Sequence, residues 1–170
     1  MTSDSLVTSI KTPQFFYEIH SSDRFEALCR LLDEYSNRLI MVFCRTKKDV
    51  DHMAEKLCLL NYKVAGYHGD MTPNTRKSVF KSLLNKDVNV LLGTDIPANF
   101  EELVMIDLLL FSVVPQDPDS YIQRIIRIES SIQIGEVATF ITPNEFKKIA
   151  FIKRVTKSDI VRKDFESTES

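Results

Sequence analysis

The chain predicts a parallel α/β sheet covered by helices, and three observations predict it. Strand-like and helix-like segments alternate along most of the 170 residues. Several strand candidates are continuous apolar runs such as RLIMVF (38–43), the mark of strands covered on both faces. The residues able to carry chemistry fall almost wholly in the segments leaving these strands, where ligands meet such sheets.

Taken in order, QFFYEIH (14–20) is aromatic-rich and alternating, hence β-like. Residues 23–35 carry Phe25, Leu28, Cys29, Leu31 and Leu32 at helical spacing, with Ser22 expected as N-cap. The strand at 38–43 is followed by a helix at 46–60, its inner face Val50, Met53, Ala54, Leu57 and Leu60. A strand at 63–67 precedes a helix at 73–84 that has Pro73 in its first turn. A strand at 88–92 leads into a loop from 93 to about 102. Then come a strand at 105–111, a helix at 119–128, a strand at 136–141 and a helix at 144–155. Connections between parallel strands are expected to be right-handed. The tail from Lys157 is polar and expected to fray.

Composition narrows the function classes. The length fits one domain with a real core, and 44% hydrophobic with 27% charged residues is ordinary for a globular protein. A net charge of -2 and a pI near 5.9 exclude a global basic field, so nucleic-acid binding would need a local patch. Cys29, Cys44 and Cys58 show no metal-binding spacing and lie in apolar segments, as small buried hydrophobes do. The odd count suits a reducing cytoplasm, and residues 1–12 lack the features of a secretion signal. Apolar runs such as 104–114 are too short to span a bilayer, so no membrane role is expected.

Four strand exits and one helix hold the candidate chemistry. In VFCRT (42–46), Thr46 at a helix start could meet a phosphate, although capping its own helix is the reading the residues alone favour. YHGDM (67–71) leaves its strand through Gly69, with Asp70 expected as a cap and Arg76 one turn into the next helix. In GTD (93–95), Thr94 and its neighbouring amides could receive a phosphate, with capping again the alternative. PQDPDSYIQRIIRIES (115–130) is a Pro-bounded turn followed by an amphipathic helix bearing Arg124 and Arg127. Planar, permanently charged guanidinium groups suit phosphate oxygens, yet no G-x-x-x-x-G-K-[ST] loop is present to cradle a nucleotide. The arginines therefore read as half of a two-lobed site. Cys44 with His52 or His68 lacks the spacing of a nucleophile pair, and Phe111 and Tyr121 read as core.

Together and in this order, these segments resemble the C-terminal RecA-like lobe of DEAD-box RNA helicases, especially the bacterial cold-shock type. VFCRTKKDVD resembles the family's motif IV, HGDMTPNTR its HGD…R segment, VNVLLGTD the start of motif V, and PQDPDSYIQRIIR the approach to motif VI. FITPNEFKKIAFIKRVTKSDI resembles the strand and helix that follow. The likeness implies a RecA-like, three-layer α/β/α domain with a mainly parallel sheet over 13–157, a flexible segment at 1–12 and a disordered tail at 158–170. It implies RNA contacts at Thr46, Gly69, Arg76, Gly93 and Thr94, with Asp95 ordering its loop. It further implies a nucleotide-ribose contact at Glu102 and catalytic arginines at Arg124 and Arg127, Arg127 also touching nucleotide. ATP would sit against an N-terminal lobe in cis or in trans, which brings the Mg; no metal and no cofactor are expected on this chain alone.

The departures are as informative. Where the family continues motif V as A-A-R-G-x-D, this chain has Pro97, Ala98, Asn99, Phe100, Glu101 and Glu102. Phe100 is expected to obstruct a close backbone approach that glycine permits. Where motif VI reads H-R-x-G-R-x-G-R, this chain has Gln123 to Ser130, with Ile126 and Glu129 for the glycines and Ser130 for the last arginine. Glu129 is expected to place a negative charge beside the triphosphate. The resemblance therefore implies an ATP-dependent RNA helicase domain whose isolated chain lacks ATPase activity. The alternative is a catalytically inactive lobe serving as an RNA- or protein-binding module. A third possibility, an unrelated small-molecule enzyme, lacks any catalytic constellation.

Overall fold

The computed structural model describes residues 10–165. Seven strands form one sheet: β1 (Gln14–Glu18), β2 (Ile40–Phe43), β3 (Val64–Tyr67), β4 (Val90–Gly93), β5 (Met105–Phe111), β6 (Gln133–Ile141) and β7 (Ile160–Arg162). They lie in the order β3-β4-β2-β5-β6-β1-β7, and every pairing is parallel. Five α-helices cover it: α1 (Arg24–Glu34), α2 (Lys47–Leu59), α3 (Pro73–Leu84), α4 (Pro118–Glu129) and α5 (Phe146–Thr156).

The apolar runs explain the layering. In β2 all four residues are buried, and the pleat sends them alternately to opposite faces. Met41 and Phe43 join a core with Leu83 of α3, Ile122 and Ile125 of α4, and Ile149 and Ile152 of α5. Ile40 and Val42 join the other core, with Leu28 and Leu31 of α1 and Val50 and Leu57 of α2. This is the expected three-layer RecA-like architecture.

Helix boundaries follow local chemistry. The Thr46 hydroxyl accepts from the Asp49 amide (3.0 Å) and caps α2, while Thr72 accepts from Thr75 (3.1 Å) and caps α3. Pro73 and Pro118 occupy first-turn positions, where no amide is missed. With only four glycines in the chain, Asn61, Lys86 and Lys157 take the left-handed conformation beyond α2, α3 and α5.

Three expectations are corrected. Ser22 does not cap α1; it lies in a short 3-10 turn (Ser21–Asp23) that leads into the helix. Leu60 is more than half exposed and lies beyond the end of α2, where the chain has already turned away from the core. The tail expected to fray from Lys157 instead supplies β7, because Ile160 is buried and its backbone pairs with β1 beside Gln14. Phe165 then stacks on Tyr17 at 4.7 Å, and residues 166–170 lie outside the described residues.

Candidate functional site

Strand register brings the candidate exits together. Phe43 is level with both Gly93 and Phe111, and Tyr67 is level with Gly93. The segments that leave β3, β4, β2 and β5 therefore stand side by side at one edge of the sheet.

At the β3 exit, His68 is buried and accepts the Asp70 amide at Nδ1 (3.2 Å). Its Nε2 therefore carries the proton and faces Asp51 at 2.9 Å. Asp70, expected as a helix cap, instead pairs with Lys47 at 2.8 Å, and Thr72 does the capping. The Lys47 hydrogen bond holds the Asp70 carboxyl below its ordinary range. Gly69 is exposed, and a Cβ there would meet only the end of the Lys47 side chain at 4.0 Å, so its backbone is open to a ligand. Thr46 is exposed too, although its oxygen is engaged as a cap.

At the β4 exit, the Asp95 carboxylate accepts the Ile96 amide at 2.8 Å and fixes the turn locally. A Cβ on Gly93 would lie 3.1 Å from the Tyr67 carbonyl and 3.2 Å from that of Asp95, so close backbone packing favours glycine here. Arg124 donates to the Thr94 carbonyl at 3.1 Å and lies over the Phe43 ring at 4.8 Å. It thus ties the β4 exit to α4 and lines a cavity of about 160 Å³ with Cys44, Arg45, Thr94 and Pro115. Burial pushes the Cys44 thiol up to about 12, which removes it as a nucleophile near neutral pH.

Arg127 is exposed on α4, and its guanidinium lies 5.9 Å from the Phe100 ring centre. Phe100 itself is 2% exposed within the core. The expected obstruction by an exposed ring is therefore corrected: the ring points into the core. Glu129 is corrected as well. Its carboxylate accepts the amides of Lys11 (2.9 Å) and Thr12 (2.7 Å) and the Thr12 hydroxyl (2.5 Å), so it is committed to the segment before β1. Ser130 donates to the Arg127 carbonyl at 2.8 Å and closes the end of α4. Glu102 is exposed in a 3-10 turn (Phe100–Leu103) and shares a cleft of about 430 Å³ with Arg76, Lys77, Lys81 and Tyr67. Residues assigned separately to RNA and to nucleotide thus face one opening.

Sequence reasoning missed Arg24 and the Glu129–Thr12 connection. The Arg24 guanidinium donates to the Ser112 carbonyl at the β5 exit, and burial lowers its pKa. Its place at the start of α1, beside the β1 exit, was the available signal. Glu129 and Thr12 are 117 residues apart, and no local pattern links them. Among the described residues, no group of three or more His, Cys, Asp or Glu side chains could hold a metal ion. No described helix is long and apolar enough to cross a membrane.

This architecture and these strand exits have known counterparts. The family model described as "Helicase conserved C-terminal domain" matches residues 23–130. The chain belongs to this family. Within it, the helicase domain is of the DEAD-box kind and fits the bacterial cold-shock type. The DEAD-box ATP-dependent RNA helicase CshA of Geobacillus kaustophilus is 36% identical over 149 residues, covering 88% of this chain and 32% of that protein. CshA of Bacillus licheniformis is 37% identical over 149 residues, covering 88% of this chain and 31% of that one. A DEAD box protein of Methanococcus jannaschii superposes with a TM-score of 0.77 at 30% identity, covering 90% of this chain and 42% of that structure. The helicase domain described here thus spans about a third of the length of the curated relatives it matches.

Proposed function

We propose that this helicase domain grips single-stranded RNA by its backbone and supplies one arginine to ATP held mainly by an N-terminal lobe. The observation that carries the reading is the level edge where Thr46, Gly69 and Thr94 leave adjacent strands, with Arg127 exposed on α4. The curated relatives with this sequence pattern are named ATP-dependent RNA helicases.

On the RNA side, exposed backbone at Gly69, the Thr46 and Thr94 region and the Arg76 guanidinium suit phosphate and sugar oxygens without reading bases. On the nucleotide side the residues fit in part. Arg127 is free to meet a phosphate and Glu102 a ribose hydroxyl, while Ser130 offers no second guanidinium. ATP supplies the phosphoryl group, and its Mg is expected from the other lobe. Arginine provides charge stabilisation in such a reaction and works from across an interface. Arg124, engaged with Thr94 and Phe43, positions the β4 exit. A cytoplasmic setting belongs to the same proposal and is supported by the three free thiols.

A second reading, a lobe that binds RNA or protein without hydrolysis, is favoured by one observation. Glu129 and Ser130, at two of the altered motif VI positions, are both engaged in internal hydrogen bonds. RNA-stimulated phosphate release with a DEAD-box N-terminal lobe supplied in cis or in trans separates the two. The first reading expects turnover that Arg127→Ala abolishes. No stimulated turnover, with RNA binding intact, establishes the second.

A further inference from the structure

Helix α5 has an outer face that neither the sheet nor the strand exits explain. Its sequence, FKKIAFIKRVT, holds four cationic residues and no acidic one, in a chain whose net charge is -2. Lys148 pairs with Glu145 (3.5 Å) and Lys153 approaches Asp159 (4.0 Å). Lys147 and Arg154 have no acidic partner among the described residues and are exposed. The buried side is Ile149, Ile152 and Thr156.

Helical geometry places Lys147, Phe151 and Arg154 on the side opposite those three, in a line along the outermost face. Phe151 is 43% exposed there, and the Arg154 guanidinium lies over its ring at 5.4 Å. Ala150 beside it is exposed and small. Phe146, also partly exposed, is instead held edge-on against Phe16 at 6.1 Å. Helix α1 makes a contrast, since Glu26, Asp33 and Glu34 there outnumber Arg24 and Arg30.

We propose that this face of α5 is a second, auxiliary site for single-stranded RNA, with a base on Phe151 and neighbouring phosphates on Lys147 and Arg154. The two cations are about 10 Å apart along the helix, a span that admits a nucleotide between them. An apolar ring between cations suits a strand that offers stacking faces and phosphates together, and each stacked base contributes substantially. An acidic peptide would satisfy the cations and leave the ring unused. Because α5 begins just after the β6 exit, Lys147 stands near the sheet edge and Arg154 leads away from it. A strand leaving the edge can therefore continue over α5. The inference rests on the RNA reading proposed above.

Titration of the full chain with a labelled oligouridylate over a series of salt concentrations tests it. Combining Lys147→Glu with Arg154→Glu should weaken binding and reduce the log–log salt slope by about 1.4, two single-strand phosphate contacts. Phe151→Ala should weaken binding roughly tenfold, and Phe151→Tyr should retain it. All three positions are exposed, so thermal unfolding should stay near that of the parent chain. If the double variant binds as the parent does while Arg76→Ala weakens binding, the α5 site is overturned and the edge reading stands. If neither change matters, both readings fall. If Phe151→Ala is silent and polyglutamate competes as well as RNA, an acidic protein partner replaces RNA as the occupant and the proposal is overturned.

Discussion

The β3 exit and the end of α4 are two regions of the proposed site, and they use their side chains in opposite ways. At the β3 exit the structure leaves Gly69 open, with Arg76 facing a cleft. At the end of α4 the polar side chains are used internally. Glu129 holds Lys11 and Thr12, and Ser130 closes the helix. In the motif V turn nearby, Phe100 fills the core. The difference teaches that a polar side chain beside a proposed site need not be left for a ligand. Such a position can be taken over by the fold, and changing it then has a structural cost.

The largest effect should come from undoing that takeover. With an N-terminal lobe present, Glu129→Gly combined with Ser130→Arg should raise RNA-stimulated phosphate release by about 10³-fold, the scale of one arginine finger. Unchanged turnover from a folded double variant would show that the two regions differ for a reason other than the lost guanidinium. The same double change should lower stability, since the Glu129 carboxylate accepts three hydrogen bonds.

That structural side can be measured alone. Glu129→Ala leaves the Lys11 and Thr12 amides without their acceptor, and Thr12 is 8% exposed. Hydrogen bonds to a charged group and the desolvation of a buried amide together predict a loss of about 2 kcal/mol. For a domain of this size that is roughly a 4–8 °C fall in Tm. Thr12→Val, which removes only the hydroxyl, should cost less. A Tm unchanged by Glu129→Ala would mean that the carboxylate does not hold the entering segment.

Legibility from sequence followed the range over which each cause acts. The bounds of α3 and β5 match their expected ranges because the signals are adjacent: Thr72 with Pro73, and an apolar run broken only by Asp107. The expected loop at 93–102 ends in a 3-10 turn containing buried Phe100, which no periodicity announces. β7 was unreadable because a three-residue strand gains its stability from pairing with β1, at the other end of the chain. At the candidate site, the residue types could be read, but not what they touch. Arg124 was legible as a guanidinium suited to phosphate, but its carbonyl acceptor on Thr94 was not. Glu129 looked like a repulsive charge for the same reason.

The smallest expected effect concerns the β3 exit, where Lys47 neutralises Asp70. The hydrogen bond from Lys47, and then its charge, depress the Asp70 carboxyl in the folded chain. A depressed carboxylate adds stability that is complete above the unfolded pKa and is lost as pH falls through the folded value. Both groups are largely exposed, so the contribution is screened and slight. In Lys47→Met, Asp70 should titrate nearer its ordinary range by carboxyl NMR, and this part of the acid dependence should vanish. The amide of Asp70 still reaches His68, so the turn itself should persist. What changes is the charge beside Gly69: an uncompensated carboxylate would face the RNA backbone, and affinity should fall modestly below the parent's at low salt, with the deficit shrinking at high salt. Affinity equal to the parent's at both salt levels would show that phosphates do not approach this exit, and the contrast between the two regions would lose its RNA side.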